Sequence, residues 1–206
     1  MTGKRIRPSL FFAAALSIAF WNANAATAPA AEAAELADVS ARPFDDAAVA
    51  SGVTLASYAK VRLLSVEADL DQKRDEELSE NEISGQTEEL EERLTEALSD
   101  NFDIVSESGE GVLEISVTLT ALRQSRPTLS DYSRQPGLSR ESVYAGGAEA
   151  DFVFTDGGSG ETVATLSDRD FANGIADGFP RIGTWADAHR AFRKWARNLP
   201  DFIEEN

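Results

Sequence analysis

Apolar and polar residues alternate most clearly in the middle of the chain, over Val112–Leu122. From residue 113 to residue 121 the odd-numbered positions are apolar, and the even-numbered positions between them are polar. This period of two is typical of a β-strand with one face against a core and the other towards water or a polar layer. We therefore predict a strand there, preceded by a short strand at Ile104 and Val105.

Three further segments have weaker alternation. The segment Tyr58–Leu70 predicts a first strand, in which both faces are partly apolar. The segments Ser142–Phe154 and Thr162–Asp170 predict the two arms of a hairpin. The turn between them, Asp156–Gly160, is rich in glycine, which adopts the positive φ angles that hairpin turns require.

Two segments repeat their apolar residues at intervals of three and four, as amphipathic helices do. The segment Ser79–Asn101 predicts one helix, with an apolar stripe of Ile83, Leu90, Leu94, Leu98 and Phe102. A second helix is predicted to be capped by Thr184 and to be ended or kinked by Pro200. Its stripe comprises Trp185, Ala188, Phe192, Trp195 and Leu199. We expect both stripes to face the core.

The order of these elements, β-α-β-β-β-α, predicts the fold class. We expect residues 51–206 to form a single α+β domain, in which a mainly antiparallel sheet of about four strands has two helices packed on one face. Residues 26–50 are rich in alanine and proline, so we expect a flexible leader there. The segment Gln124–Arg140 contains two prolines and a glycine and predicts a long loop.

The first 25 residues have the three parts of a cleavable export signal. Basic residues within the first seven precede an apolar run, Leu10–Trp21, which is too short to span a bilayer. Ala23-Asn24-Ala25 then places small residues at the two positions that a signal peptidase reads. We expect cleavage after Ala25 and a periplasmic or secreted product.

Composition narrows the classes of function. The chain has 36 acidic and 19 basic residues, a formal net charge of −17, and the predicted cleavage would remove only basic residues. A body this negative repels phosphate groups, which disfavours nucleic acids and anionic membrane surfaces as partners. The chain has no cysteine, which excludes disulfides, thiolate metal sites, cysteine nucleophiles and a lipoprotein anchor.

Several of these motifs, taken in order, resemble a family of exported bacterial proteins catalogued as domain of unknown function 3313. The motifs lie within residues 53–199 and comprise the strand entry Ser57-Tyr58 with Lys60-Val61, the strand Leu113–Leu119, the turn from Asp156 to Gly160-Glu161, and the helix with Trp185, Asp187, Ala191-Phe192 and Trp195-Ala196. The resemblance implies a fold and an exported location, and it offers no catalytic residue to carry over. Many members look like lipoproteins, whereas this chain lacks the lipobox cysteine that would be acylated.

Acidic residues are the first candidates for a metal site. The stretch Glu67–Glu114 holds 18 acidic and 3 basic residues, but the EF-hand spacing is absent. We interpret it as a solvated acidic surface and keep calcium binding as an alternative. A second set of acids flanks the predicted hairpin, and we interpret it as turn formers before cation ligands: Asp156, Glu161, Asp168 and Asp170.

His189 is the only histidine and therefore the only candidate base for a serine–histidine site. Asp187 lies two residues away on the same predicted helix, so the two side chains would point about 200° apart. A Gly-x-Ser-x-Gly motif is absent around Ser159, because Glu161 occupies the second glycine position. We predict no catalytic, cofactor-binding or metal-binding residue, and we interpret His189 as packing at the edge of the core.

Basic residues concentrate on the last predicted helix, at Arg190, Arg193, Lys194 and Arg197. We expect them to neutralise the acidic segment within the molecule. A docking face for an acidic partner or a membrane surface is the alternative.

The sequence therefore predicts an exported, periplasmic domain that is a non-enzymatic binding or structural component of the cell envelope. Its binding surface would be the polar face of the sheet or the Gln124–Arg140 loop, and its partner a protein of the envelope. Two alternatives stay open: a carboxylate-based hydrolase of envelope polysaccharide or peptide, and a calcium-dependent binding module. We expect no cofactor, no nucleic acid partner and no transmembrane segment after cleavage.

Overall fold

A mixed sheet of eight strands and two helices make up the part of the chain that the structure describes. The structure is a computed structural model and describes residues 35–70, 78–125, 133–134, 146–172 and 183–206, within one compact unit of residues 33–206. The strands are β1 (Leu36–Asp38), β2 (Asp46–Ala50), β3 (Lys60–Leu63), β4 (Glu67–Ala68), β5 (Asp103–Ile104), β6 (Val112–Arg123), β7 (Gly147–Asp156) and β8 (Thr162–Phe171). The helices are α1 (Glu80–Ser99) and α2 (Ala186–Glu205), and a single 3-10 turn spans Leu55–Ser57.

The strands lie in the order β1-β2-β8-β7-β6-β3-β5 across the sheet. Pairs from β1 to β6 are antiparallel, whereas β3 pairs in parallel with both β6 and β5, and β4 pairs in parallel with β6. The sheet is therefore mostly antiparallel. The prediction of about four strands in the order β-α-β-β-β-α is wrong, because the sheet extends on both sides of the strands that were predicted.

Strands β1 and β2 lie in residues that the sequence assigned to a flexible leader. Along β2, Ala47 and Val49 are buried against the core, whereas Asp46 is exposed on the other side. Alternation is present, but its apolar members are small, and alanine has a weak strand preference. Pairing along β8 therefore makes this segment a strand where local preference does not.

The predicted first strand, Tyr58–Leu70, is in fact two shorter strands. β3 lies opposite Val112–Ile115 of β6, and β4 lies farther along the same strand. Between them, the backbone N–H of Val66 donates a hydrogen bond to the Glu91 carboxylate of α1 at 3.2 Å. The polar contact with the helix thus replaces a ladder hydrogen bond where the strand breaks.

Helix α1 begins with a capping box and packs on the core through one stripe. The Ser79 side chain accepts a hydrogen bond from the Glu82 backbone, and the Glu82 side chain accepts one from the Ser79 backbone, so two end N–H groups are satisfied. The predicted stripe is confirmed at its centre, where three residues are fully buried: Leu90, Leu94 and Leu98. The two outer members of the stripe are half-buried.

Helix α2 packs beside α1 on the same face of the sheet. Its cap residue is Trp185, without a side-chain cap hydrogen bond, so the prediction of a Thr184 cap is wrong. The helix continues through Pro200, because Phe202 and Ile203 beyond it are buried in the core. The remaining members of its predicted stripe are all fully buried: Ala188, Phe192, Trp195 and Leu199.

Two ion pairs join α2 to β8. The Asp168 side chain is fully buried, and both its oxygens accept hydrogen bonds from Lys194 Nζ at 2.9 Å. Its Oδ2 also accepts one from Trp195 Nε1 at 2.6 Å. One helical turn earlier, Arg190 donates to Asp170 at 2.9 Å. A buried carboxylate is tolerated only with such partners, so Asp168 holds the helix at one position on the sheet.

The turn between β7 and β8 is held by Asp156. Its Oδ1 accepts hydrogen bonds from the backbone N–H groups of Gly158 at 3.0 Å and Ser159 at 2.7 Å, and its Oδ2 accepts one from the Tyr58 hydroxyl at 2.7 Å. These bonds, the Ser159 backbone bond first, lower the pKa of Asp156. Burial, helped by Asp156, raises the pKa of Tyr58 to about 12.

We expect Asp168→Ala to lower the free energy of unfolding by about 3 kcal/mol, because Lys194 and Trp195 would lose their buried acceptor. Asp170→Ala is the matched control. The side chain of its partner Arg190 is 42% exposed, so the expected loss is below about 1 kcal/mol. Urea unfolding followed by tryptophan fluorescence measures both losses. Equal losses would contradict a buried anchor at Asp168.

We expect Tyr58→Phe to cost about 1 kcal/mol near neutral pH, because the hydrogen bond to Asp156 is lost. An unfolded tyrosine ionises near pH 10, whereas folded Tyr58 keeps its proton until about 12. The stability that Tyr58 contributes is therefore complete below about pH 10 and is lost as the pH rises towards 12. Unfolding of both proteins at several alkaline pH values tests this, and a cost independent of pH would speak against it.

Candidate binding surface

The face of the sheet that points away from both helices, here called the outer face, has mostly small polar side chains. Along β6, β7 and β8 they alternate with buried core residues and comprise Ser116, Thr118, Thr120, Asp151, Val153, Thr165 and Ser167. Val153 is the apolar residue of this set, and 36% of it is exposed. The outer face is the polar sheet face that the period of two in β6 predicted.

Two ion pairs neutralise part of the outer face. Arg62 of β3 lies 2.6 Å from Glu114 of β6, and Arg169 of β8 lies 2.7 Å from Glu149 of β7. In each pair the two residues are direct cross-strand neighbours. These two acids are therefore compensated within the sheet.

Three other acids form a line across the outer face, which we call the acidic row. The register places Asp46 opposite Ser167, Ser167 opposite Asp151, Asp151 opposite Thr118, and Thr118 opposite Glu67. The row thus runs from β2 through β8, β7 and β6 to β4, with an acid on every second strand. Because neighbouring strands are about 4.8 Å apart, consecutive acids are about 10 Å apart.

Within the described residues, the acidic row has no basic partner. Asp46, Asp151 and Glu67 are all exposed, and their side chains take part in none of the hydrogen bonds or ion pairs there. The pKa of Asp151 is raised, mainly by burial of part of its carboxyl group and further by the nearby Glu149. The outer face therefore presents negative charge that the sheet itself does not neutralise.

An open groove of about 810 Å³ lies beside the acidic row. It is lined by the segment from Asp38 to Ala48, which contains the connection from β1 to β2, and by residues of β7 and β8. Asp46, Asp151 and Val153 are among the lining residues. Its volume is in the range of ligand-binding clefts.

The acids considered as cation ligands are not brought together. Asp156 holds the turn between β7 and β8, whereas Asp168 and Asp170 bind basic residues of α2. Nowhere in the described ranges do three or more acids and histidines lie close enough to hold one metal ion. Residues 71–77 of the stretch Glu67–Glu114 lie outside the described residues.

The structure gives His189 and Asp187 different partners. His189 Nε2 lies 3.0 Å from Gln86 Oε1 of α1, and the ring packs against Phe192 with centroids 5.9 Å apart. Burial lowers the pKa of His189, which favours the neutral ring. Asp187 instead accepts a hydrogen bond from the Ser125 hydroxyl at 2.7 Å. Ser125 is thus paired with a carboxylate and not with a base, which does not activate a nucleophile.

Gln124 and Ser125 are buried polar residues that the sequence analysis missed. Gln124 donates to Glu82 of α1 at 2.9 Å, and the Ser125 hydroxyl accepts from the Asp187 backbone of α2 at 3.1 Å. A Cβ on Gly146 would lie 2.5 Å from Ser125 Oγ, so only glycine leaves room for this contact. Both residues begin the predicted loop to residue 140, of which the structure otherwise describes residues 133–134.

A β-bulge in β6 explains why these two residues were missed. The register with β7 shifts between Leu119 and Ala121, so that Leu122 and then Gln124 point to the core. A strict period of two would have placed Gln124 on the outer face. The buried leucine at an even-numbered position was the available sequence signal.

The basic residues of α2 divide into two pairs. Arg190 and Lys194 face the sheet and bind the acids of β8, which confirms an intramolecular role for them. Their partners are acids of β8 and not of the stretch Glu67–Glu114, to which the prediction assigned them. Arg193 and Arg197 are exposed.

Comparison with solved structures finds similar folds at low sequence identity. The PelC dodecamer from Paraburkholderia phytofirmans is 13% identical, with 75% of this chain and 96% of that chain covered and a TM-score of 0.42. The hypothetical protein CT253 from Chlamydia trachomatis is 11% identical, with 72% of this chain and 99% of that chain covered and a TM-score of 0.42. These values support no statement about the function of this chain.

Sequence comparison identifies the family. No curated protein has a significant match to the chain. Among the described residues, neither helix combines the length and the apolar character needed to cross a membrane. The family profile described as "Protein of unknown function (DUF3313)" matches residues 46–199, from the start of β2 to the last turns of α2. The chain belongs to this family.

Proposed function

We propose that the protein is an exported, non-enzymatic binding component of the bacterial cell envelope, and that it binds a partner protein through the outer face. One observation carries the proposal: the two helices cover one face of the sheet only. The outer face keeps an exposed valine, an open groove and acids without basic partners in the described part of the chain. Such a surface is suited to a partner.

Export is supported by the first 25 residues. Their basic start, apolar run of about a dozen residues and small residues at positions 23 and 25 fit a cleavable signal. The cleavage site precedes β1, so its removal would leave the sheet intact.

A binding role is better supported than a carboxylate-based hydrolase. Glycosidases hold two carboxyl groups about 5 to 10 Å apart on either side of a substrate bond. Consecutive acids of the acidic row lie at the upper end of this range, and all three are exposed on a sheet surface. Acids in that position attract a cation more readily than they keep the proton that a general acid needs.

Export is tested by the N-terminus of protein recovered from the periplasmic fraction of cells that express the full chain. We expect mass analysis to find Ala26 as the first residue. Ala25→Arg should block processing, because the position before the cleaved bond must be small. Asn24→Arg is the matched control and should be processed normally. Protein with Met1 attached in the cytosol would contradict export.

Binding through the outer face is tested with two matched variants. Val153 and Ile104 are apolar strand residues with similar exposure, 36% and 38%, but Ile104 lies on the helix side, next to buried Val61. We expect a partner recovered with the parent protein from envelope extracts to be retained by Ile104→Arg and reduced about 10-fold or more by Val153→Arg. Unfolding curves should show both variants folded. Equal recovery with both would rule out the outer face.

A further inference from the structure

The acidic row limits what kind of partner the outer face accepts, and this inference rests on the proposed function. A single calcium ion binds oxygens about 2.4 Å from its centre, so carboxylates about 10 Å apart do not share one ion. Each acid of the row therefore requires its own cation. A ligand that satisfies the whole row carries at least three positive charges, spaced about 10 Å apart along a line perpendicular to the strands.

The geometry of a basic helix matches this spacing. Side chains seven residues apart on an α-helix point the same way and are about 10.5 Å apart along the axis. An extended segment presents side chains on one side about every 6.8 Å, so its spacings of about 7 and 14 Å miss the row. A helix is thus the regular element whose repeat fits the acids of the row.

The surroundings of the row favour a helix with an apolar edge. Val153 points to the same face as Asp151 and follows it by two residues on β7, so it lies about 7 Å from the row. The groove borders both residues. A second copy of this chain is a poor occupant, because each copy has a net charge of −17.

We propose that the outer face docks an amphipathic basic helix of a partner protein, with cationic side chains seven residues apart over Asp46, Asp151 and Glu67. The helix would cross the strands along the acidic row, and its apolar residues would contact Val153. Neutralisation of the three acids supplies both the attraction and the register of the helix on the sheet.

The probe is a labelled, alanine-rich helical peptide with three lysines seven residues apart and leucines beside them. Its binding to the full chain is measured by fluorescence anisotropy at low salt. The variant with Asp46→Asn, Asp151→Asn and Glu67→Gln should bind about 10-fold more weakly, since each exposed charge pair contributes little alone. The matched control has Glu92→Gln, Glu96→Gln and Glu107→Gln, three exposed acids elsewhere, and should stay within about 2-fold of the parent.

A second peptide of the same composition, with its lysines five residues apart, points them to different sides and should bind no better to the parent than to the first variant. Equal weakening by both triple variants would overturn the inference, because net charge alone would then explain binding. Equal affinity for both peptides, or for spermine, would overturn the helix. If no peptide binds while Val153→Arg still loses the envelope partner, this inference fails and the proposed function stands.

Discussion

Successive residues of a strand point to opposite faces of the sheet, and two helices cover only one of those faces. This constraint divides β6, β7 and β8 into core residues and outer-face residues. On the core side, Phe152 packs edge-on against Trp195 with ring centroids 5.9 Å apart, and α2 is held by Asp168. On the outer side the same strands carry serine, threonine and acids. The covered face provides stability and leaves the other face available for binding.

The distribution of charge follows from the same division. Arg190 and Lys194 bind acids of β8 on the helix side, and Arg62 and Arg169 bind acids on the outer face. These pairs use bases of the sheet and of α2, in a chain that has far fewer bases than acids. Acids of the outer face therefore stay uncompensated in the described structure, and the acidic row is where they line up.

The elements that depend on local sequence were predictable. The strand β6, the β7–β8 turn and the centres of both helix stripes follow from periodicity and from glycine in the turn. Elements that depend on distant partners were not. Strand β2 exists because β8 pairs with it, and β3 ends where Val66 donates to Glu91. The bulge after Leu119 reversed the faces of β6, which hid the burial of Gln124.

The acidic row has no local signature, because its acids come from three separate parts of the chain. Their alignment depends on strand register, and a slip of one residue in β2 would turn Asp46 inward and Ala47 outward. The register of β2 is held by the burial of Ala47 and Val49 against the core. The small apolar residues that made this segment look like a leader are thus the residues that position an acid of the proposed binding surface. A change in their packing would alter binding without touching any residue that contacts the partner.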